Sequence, residues 1–501
     1  MSKNTNKPFA RIGLVAAAEY RYFLTHLVRE IKDRRGSEIH LICQTPETKK
    51  FYQQIDNSNL FDSITVNDVI QSSYRHIDLD DKAVFARAIA YEEQYGFTFN
   101  GLALTNRHLG RGYALGGFHH PRSRESENTS YVQMVHTYSE QISFWENFFR
   151  EKKLTMLLNG DRIVATLCRD MGIRFRQLAV ARLQNRYHWA WNEYSENPEI
   201  DQLLKSEYDF TGVELDAPYL GHSLHKKDFI KTRGLAYLGK NLAYTLASRC
   251  WWKMRGYAKA KTYYMLEELR YFIRDYRQWR KLNAKSLVSL MELENKKFVY
   301  YPMHIEPELA LQALSPEYFY QLSLIAAVSR DLPAGVYLAV KEYYSACGQR
   351  PSEFYDQICE FKNVVMLDPI EPGIECAKRA DAVVTICGTG GFEAAFFGRP
   401  VIAFGRHNPY NALSHVWPVE DEIHLKRYLQ TALDSGFDRC AAAKEGRRLA
   451  GAMHDCSFDM GDYYFGKPED VPQESIREAY TYLVKSLRKE DEGLRLSPSV
   501  L

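Results

Sequence analysis

The sequence predicts an α/β protein with two domains, each built as a parallel sheet covered by helices. The chain has 501 residues, which is too long for one ordinary hydrophobic core and suits two domains. In both halves, short apolar runs alternate with amphipathic segments, a pattern typical of parallel sheets with covering helices. A glycine-rich turn at 387–391 follows one of these apolar runs. We therefore expect two Rossmann-like domains.

The N-terminal half alternates strands and helices with one interruption. The stretch 100–128 is rich in Gly, His and Arg and has no clear period, so we expect a long functional loop there. The predicted strands are 12–15, 38–43, 63–66, 154–158 and 174–180, and the predicted helices are 20–32, one from Thr45, and 130–152.

Predicted strands and helices alternate more regularly in the C-terminal half. Together with the composition, this places the expected boundaries at 1–225 for the N-terminal domain, 226–290 for a basic aromatic helical region, 291–470 for the C-terminal domain and 471–501 for a final helix and tail. The predicted strands are 298–303, 336–340, 364–367, 382–386 and 401–404, and the predicted helices are 316–330, 353–361, a short helix near Ile374, and 392–397.

Bulk composition excludes several classes of protein. The chain is 45% hydrophobic and 26% charged, and its 65 Lys and Arg against 63 Asp and Glu leave a net charge of +2. This balance gives no reason to expect a nucleic-acid partner. The nine cysteines form no C-x-x-C pair, so neither a zinc site nor a disulfide framework is expected. No apolar run is long enough to cross a membrane, and we expect a cytoplasmic protein.

The strongest chemical signal is the turn that follows the predicted strand 382–386. A glycine-rich turn that opens a helix presents free N–H groups and a positive dipole end, which favour an anion such as phosphate. The alternative is a tight turn without a ligand. The expected ligand-binding residues are Gly388, Thr389, Gly390 and Gly391, with Glu393 placed to accept from a ribose hydroxyl.

Two other strand ends carry polar side chains. Lys341 and Glu342 end the strand 336–340, where a cation would complement a phosphate. His304, Glu306 and Glu308 follow the strand 298–303 and could serve acid–base chemistry or bind sugar hydroxyls. Each feature has a simpler interpretation as ordinary structure. Because all three loops are predicted at one sheet edge, we expect a ligand site there.

From 297 to 407, the sequence resembles the capsule polysaccharide biosynthesis family of GT-B glycosyltransferases, which includes bacterial Kdo transferases. The resemblance covers YYPMHIEPE, SPEYFYQLSLI, LAVKE, NVVMLDP and VVTICGTGGFEAAFFGRPVIAFG, in order and spacing. The N-terminal half resembles the family only in general plan, with LLNGD at 157–161 as the nearest local match. The family pattern Lys-Glu-His-Pro is replaced here by Lys341-Glu342-Tyr343-Tyr344, which puts the identity of the donor in doubt.

The resemblance implies two Rossmann-like domains facing each other across a cleft, with a nucleotide-sugar donor, CMP- or UDP-linked, bound near Lys341 and the glycine turn. The expected catalytic residues are Asp161, His304 and Glu306. Asp161 would act as the base toward an acceptor hydroxyl, although its position equally suits a helix N-cap. Arg107, His108 and Arg111 are expected to bind an anionic glycan or glycolipid acceptor.

The reaction is expected to invert the anomeric centre, with no cofactor and no metal. No Asp-x-Asp motif lies in the donor domain, and His119 and His120 have no further ligand at metal-binding spacing. The alternatives are a CDP-linked polyol-phosphate transferase, a hydrolysing UDP-sugar 2-epimerase and a non-catalytic component of polysaccharide assembly.

The segment 226–285 has 16 Lys and Arg against four acidic residues, interleaved with aromatic residues. Three interpretations are open: a helical region whose charges are solvated, a site that binds an anionic membrane surface, or a site that binds nucleic acid. Because the acceptors of surface-polysaccharide enzymes are lipid-linked, we favour the membrane over nucleic acid. The protein would then lie peripherally on the inner membrane face.

Overall fold

The structure is a computed structural model. It describes residues 8–17, 19–56, 59–72, 77–105, 109, 129–183, 185–206, 234–254, 265–305, 314–318, 320–343, 346–350, 353–461 and 471–496. The chain divides into two compact units. The N-terminal unit comprises Met1–Leu102, Thr129–Gly212 and Ala450–Leu501, and the C-terminal unit comprises Ala103–Asn128 and Val213–Leu449.

The strands of the described residues are short and mostly buried. They are β1 (Arg11–Val15), β2 (Glu38–Cys43), β3 (Ser63–Val66), β4 (Met156–Leu158), β5 (Arg174–Val180), β6 (Arg186–Ala190), β7 (Lys297–Pro302), β8 (Val336–Lys341), β9 (Val364–Leu367), β10 (Ala382–Thr385), β11 (Val401–Ala403), β12 (Val416–Pro418) and β13 (Phe458–Asp459).

Helices connect most of these strands, as expected for parallel crossovers. They are α1 (Arg21–Arg35), α2 (Pro46–Ile55), α3 (Val69–Ser72), α4 (Asp81–Tyr95), α5 (Phe99–Thr105), α6 (Tyr131–Lys152), α7 (Arg162–Asp170), α8 (Pro198–Lys205), α9 (Leu235–Met254), α10 (Met265–Asn283), α11 (Gln321–Asp331), α12 (Phe354–Cys359), α13 (Gly373–Arg379), α14 (Thr389–Phe396), α15 (Leu425–Ala432), α16 (Arg439–Asp455) and α17 (Gln473–Asp491). Short 3-10 helices occur at Leu290–Leu293, Pro316–Tyr318, Pro409–Ala412 and Glu422–His424.

A mainly parallel sheet forms the centre of the N-terminal unit, in the order β3-β2-β1-β4-β5-β6-β13. The first five of these strands are parallel, whereas β6 runs antiparallel to both of its neighbours. The chain leaves β1 toward β2 on one side and returns on the other side as β4. The loops after β1 and β4 therefore flank the point at which the strand order reverses, where open α/β sheets bind ligands.

The last helix of the chain, α17, packs on the N-terminal unit. Its apolar face joins the core of the first sheet through Ile476, Ala479 and Leu483. The indole of Trp189 donates a hydrogen bond to the carbonyl of Ala479 over 2.9 Å. Contacts that are distant in sequence therefore tie the C-terminus to the first sheet.

The C-terminal unit contains a fully parallel sheet in the order β12-β11-β10-β7-β8-β9. Read from β9, this is the 3-2-1-4-5-6 order of the Rossmann fold. Its strands are buried on both faces, which explains why the sequence shows continuous apolar runs rather than alternation. The reversal of strand order falls between β7 and β10. The predicted α/β fold class, with two parallel-sheet domains, is confirmed.

Helices α9 and α10 lie within the C-terminal unit and form the described part of the predicted basic helical region. Leu282 of α10 is fully buried in the core of the second sheet. The region therefore belongs to the second unit instead of forming a separate segment between two domains. The final boundary also differs from the expected one, because residues from Ala450 onward belong to the N-terminal unit.

The structure corrects several predicted elements at their ends. Helix α14 begins at Thr389, so Gly390 and Gly391 lie in its first turn instead of in a preceding loop. The expected loop 100–128 begins as helix α5, and the predicted helix 316–330 is divided into a 3-10 turn and α11. The sequence analysis did not predict strands β6, β12 and β13, of which β12 and β13 are short edge strands.

Candidate nucleotide-binding site

The carboxyl ends of β7, β8, β10 and β11 meet at one edge of the second sheet. Pro302 at the end of β7 pairs with Lys341 at the end of β8. A Cβ atom added to Gly390 would lie 2.8 Å from the Cγ of Pro302. The end of β7 thus lies between Lys341 and the first turn of α14. The structure therefore brings these two predicted features to the same edge.

Lys341 is a mostly buried residue at this edge. It is only 5% exposed. Within the described part of the chain its ammonium group makes no hydrogen bond and no ion pair. Because removing a charge from water is costly unless it is paired, a mostly buried lysine without a partner among the described residues is suited to bind an anion.

The N-terminus of α14 faces the same edge without a capping side chain. Gly388 occupies the N-cap position, and no side chain there accepts from the first turn. The first N–H groups of a helix have no partner inside the helix, and they attract anions. Thr389 is exposed at the start of the helix, where its hydroxyl can donate to a bound group.

The glycines of the turn are required by packing inside the protein. A Cβ atom at Gly391 would lie 2.5 Å from the Cγ2 of Thr385 and 2.6 Å from the hydroxyl of Tyr410. A Cβ atom at Gly388 would lie 3.2 Å from the imidazole of His304. The sequence analysis expected Gly390 and Gly391 to bind a ligand. The structure instead places protein atoms against both glycines.

His304 holds the glycine turn in place. It is 6% exposed, and its Nε2 accepts a hydrogen bond from the N–H of Cys387 over 3.1 Å. The side chain of Gln321 accepts from the N–H of His304 and donates to its carbonyl, over 2.8 and 3.0 Å. His304 was expected to act in catalysis. Its geometry is that of a buried positioning residue that links the end of β7 to the turn after β10.

Glu342 is engaged inside the protein. Its carboxylate is fully buried and accepts two hydrogen bonds from the guanidinium of Arg350, over 2.8 and 2.9 Å. The hydroxyl of Tyr355 and the N–H of Tyr343 also donate to it. Both oxygens are therefore occupied, and the direct contact with a nucleotide expected for Glu342 does not fit this arrangement.

Arg350 is a site residue that the sequence analysis missed. Besides Glu342, it donates to the carbonyl of His304 over 2.5 Å. It thus joins the loop after β8 to the loop after β7. The only sequence signal was an arginine eight positions after Glu342, a predicted ligand-binding residue. Such spacing in a loop indicates no particular contact.

Asn408 was also missed. Its side-chain amide donates to the carbonyls of Ile386 and Gly405, over 2.8 and 2.9 Å. It therefore joins the turns that follow β10 and β11. The run Gly405-Arg406-His407-Asn408-Pro409 after a predicted strand was the signal available, because such residues commonly form turns.

Glu393 is half-buried on α14. Its charge reaches Tyr300 on β7: burial, then the nearby Cys376 and Glu393, raise the pKa of the Tyr300 phenol. The predicted contact of Glu393 with a ribose hydroxyl stays a prediction.

Asp161 lies at the corresponding edge of the first sheet, directly after β4. Its carboxylate accepts from the N–H of Val164 over 3.1 Å and caps helix α7, as the alternative interpretation expected. The side chain is nevertheless accessible to solvent. Desolvation by the surrounding protein and the negative charge of Glu193 raise the pKa of Asp161, while backbone hydrogen bonds lower it. A carboxyl group with a raised pKa is suited to proton transfer.

Several expected site residues lie outside the described residues. They are Arg107, His108 and Arg111 of the expected acceptor loop, His119 and His120, and Glu306, Glu308 and Tyr344.

The fold and this edge define a class of protein: a two-domain α/β protein whose second sheet has a candidate anion site at its switch point. The family model described as capsule polysaccharide biosynthesis protein matches residues 225–425, which include this whole edge. Residues 225–425 are therefore similar to that family, and the resemblance read from the sequence is confirmed over this segment.

Solved structures are similar to the chain at low identity. MnaA from S. aureus with UDP is 11% identical, covers 98% of this chain and 99% of its own, and has a TM-score of 0.29. The UDP-GlcNAc 2-epimerase of Methanocaldococcus jannaschii is 10% identical and has a TM-score of 0.26. The match covers 88% of this chain and 98% of the epimerase. KpsC from Thermosulfurimonas dismutans, a beta Kdo 2,4 transferase, is 13% identical and has a TM-score of 0.29. The match covers 57% of this chain and 85% of the KpsC chain. No curated protein matches the chain significantly.

Proposed function

We propose that the protein is a GT-B glycosyltransferase of capsule polysaccharide biosynthesis that moves a sugar from a nucleotide-activated donor to a glycan or glycolipid acceptor. One observation carries the proposal: the mostly buried Lys341 has no anionic partner among the described residues and ends its strand at the same edge as the uncapped N-terminus of α14. The match of residues 225–425 to the capsule polysaccharide biosynthesis family supports the same assignment.

In the proposed reaction, an acceptor hydroxyl attacks the anomeric carbon of the donor in line with the leaving phosphate. The new carbon–oxygen bond forms as the bond to the phosphate oxygen breaks, which inverts the anomeric centre. Asp161 takes the proton of the hydroxyl. Lys341 and the N–H groups of α14 stabilise the charge on the departing nucleotide, so the mechanism requires no metal and no cofactor.

The protein would work peripherally on the cytoplasmic membrane face, through the basic segment 226–285. Lipid-linked acceptors and the local excess of Lys and Arg motivate this placement. Among the described residues, no helix is both long enough and apolar enough to span a bilayer.

The test begins with thermal-shift measurements of the pure protein against CMP, CDP, UDP, GDP and ADP. A ligand that binds only the folded state raises its apparent stability. We expect one nucleotide to raise the melting temperature of the wild-type protein but not that of Lys341→Ala. Lys297→Ala is the matched control, because Lys297 is an exposed lysine at the opposite end of the neighbouring strand.

A transfer assay with the corresponding nucleotide sugar then separates the candidate activities. Consumption of the donor only when a glycan acceptor is present supports glycosyl transfer. Conversion of the donor without an acceptor would indicate an epimerase, and a phosphorus-containing product would indicate a polyol-phosphate transferase. The absence of a shift with every nucleotide would overturn the proposal in favour of a non-catalytic role.

A further inference from the structure

Large apolar side chains are exposed along α9 and α10. Contiguous exposed apolar surface on a protein commonly marks a site of interaction with another molecule. The exposed set on the two helices is Leu235, Tyr244, Leu246, Trp251, Met254, Met265, Leu266 and Ile273.

The two helices form an antiparallel hairpin. Arg249, near the end of α9, forms an ion pair of 2.7 Å with Glu268, near the start of α10. At the other end, Tyr237 of α9 and Trp279 of α10 line the same small cavity. The end of α9 and the start of α10 therefore lie together. We call Trp251, Met254, Met265 and Leu266 the hairpin tip; their exposed fractions are 51%, 75%, 38% and 64%.

The sequence around the hairpin tip is strongly basic. From 249 to 270 it contains six Lys or Arg residues and two acidic residues, Glu267 and Glu268. Glu268 is already paired with Arg249. Arg270 is exposed one turn from Leu266. Exposed Trp, Met and Leu side chains combined with excess positive charge are the features that bind an anionic lipid surface.

The hairpin is fixed to the loop that carries part of the candidate nucleotide site. A Cβ atom added to Gly348 would lie 2.4 Å from the backbone carbonyl oxygen of Asp275 on α10, so the loop and the helix are in close contact. Two residues further along this loop is Arg350, which binds Glu342 and the carbonyl of His304. Docking of the hairpin would therefore hold the nucleotide site of the same unit near the docking surface.

We propose that the hairpin tip is the docking surface of the protein for an anionic lipid bilayer. This inference deepens the proposed function, because it assigns the peripheral membrane association to four side chains, and it does not depend on sugar transfer. The apolar tip enters the headgroup region, and the exposed Arg270 beside it contacts lipid phosphates.

The test is co-sedimentation of the full chain with phosphatidylcholine vesicles, with and without phosphatidylglycerol. We expect binding only to the vesicles that contain phosphatidylglycerol, and weaker binding as salt is added. The double variant Met254→Asp with Leu266→Asp should bind at least roughly tenfold more weakly. The control is Met291→Asp with Ile423→Asp, which changes two residues of the same unit that are 75% and 77% exposed. This control should bind like the wild-type protein.

Equal binding to neutral vesicles, no binding to either kind, or full binding by the tip variant would overturn the inference. Equal losses in the tip and control variants would also overturn it. A melting temperature of the tip variant close to that of the wild-type protein shows that the variant is folded. The nucleotide shift of the wild-type protein is measured separately, so failure of docking and failure of the proposed transfer reaction are distinguishable.

Discussion

Lys341 ends β8 among buried side chains and is itself only 5% exposed, so its charge loses part of its hydration when the strand folds. Partial desolvation of an ammonium group disfavours the folded state until a partner offsets it. Glu342, the adjacent acid, is occupied by Arg350 and Tyr355. The presence of a lysine here is explained if its anionic partner is a bound ligand. Replacing the lysine should then have opposite effects on the stability of the protein and on ligand binding.

Replacing Lys341 by methionine is expected to raise the free energy of unfolding by up to about 1 kcal/mol, because it removes a partly desolvated charge at similar volume. The same variant should lose nucleotide binding. Urea unfolding and nucleotide titration measure the two effects. Lys297→Met, at an exposed position, should change neither. A less stable Lys341→Met protein would show that the ammonium group has a partner within the chain.

Asp161 combines a structural role with the proposed chemical one, and one pair of variants separates them. Asn caps a helix about as well as Asp, so Asp161→Asn should keep the stability of the wild-type protein, whereas Asp161→Ala should lose about 1 kcal/mol. Both variants should lose roughly a hundredfold or more of the transfer rate if Asp161 is the base. Full activity of Asp161→Asn would exclude that role.

The pH profile provides a further measurement on Asp161. A general base must be deprotonated, so the wild-type rate should fall as pH decreases through the pKa of this carboxyl group. Because desolvation raises that pKa, the fall should begin at a higher pH than for an ordinary aspartate. Initial rates across an acidic pH series measure this fall in the transfer rate. A midpoint at or below the ordinary value would argue against this assignment.

At single positions, the sequence predicted features that depend on where a residue lies in a strand. It missed features that depend on which residues contact each other in the fold. Lys341 was found because the end of a parallel strand is a known place for ligands. The occupation of Glu342 could not be found, because Arg350 reaches it from a loop. The positioning role of His304 depends on Cys387, which is 83 positions away in the chain.

The turn between β10 and α14 shows how an element combines packing and function. Gly390 and Gly391 allow α14 to begin directly against Pro302, Thr385 and Tyr410. This close packing brings the N-terminus of the helix to the edge of the sheet. The glycines therefore act indirectly: they position the N–H groups that would bind an anion.

Gly391→Ala is expected to destabilise the protein by about 1–3 kcal/mol, because its Cβ would overlap Thr385 and Tyr410. Thr389→Ala, two residues earlier and exposed, should change the stability by less than about 0.5 kcal/mol. Thr389→Ala should instead weaken nucleotide binding. Urea unfolding and nucleotide titration of both variants test this division. A stable Gly391→Ala protein that has lost nucleotide binding would support direct contact with the ligand instead.

Buried parallel strands were the most predictable elements, since continuous apolar runs mark them regardless of their partners. β2, β3, β5 and β9 have their predicted bounds. The start of α14 was predicted too late, because glycines are read as turn residues although a first helical turn can contain them. Short edge strands such as β13, with two residues, have too little pattern to be read.

At the scale of the whole molecule, the chain does not divide in sequence order. Helix α17 belongs to the first unit although it ends the described part of the chain. Arg176 on β5, only 1% exposed, forms an ion pair of 2.6 Å with Glu490 on α17. The sequence predicted a helix after 471 but not its partner, because 314 positions separate the two charges.

This long-range pair makes the stability of the N-terminal unit dependent on the last helix. Glu490→Gln should lower the free energy of unfolding of that unit by about 2–3 kcal/mol, because it leaves the buried guanidinium of Arg176 without its carboxylate. The control is Glu474→Gln on the same helix, whose side chain is 74% exposed and whose loss should cost less than about 1 kcal/mol. Since the two units have separate cores, urea unfolding followed by tryptophan fluorescence should show two transitions. Only the transition that lacks nucleotide protection should move in Glu490→Gln. A shift of the nucleotide-protected transition instead would show that α17 stabilises the C-terminal unit.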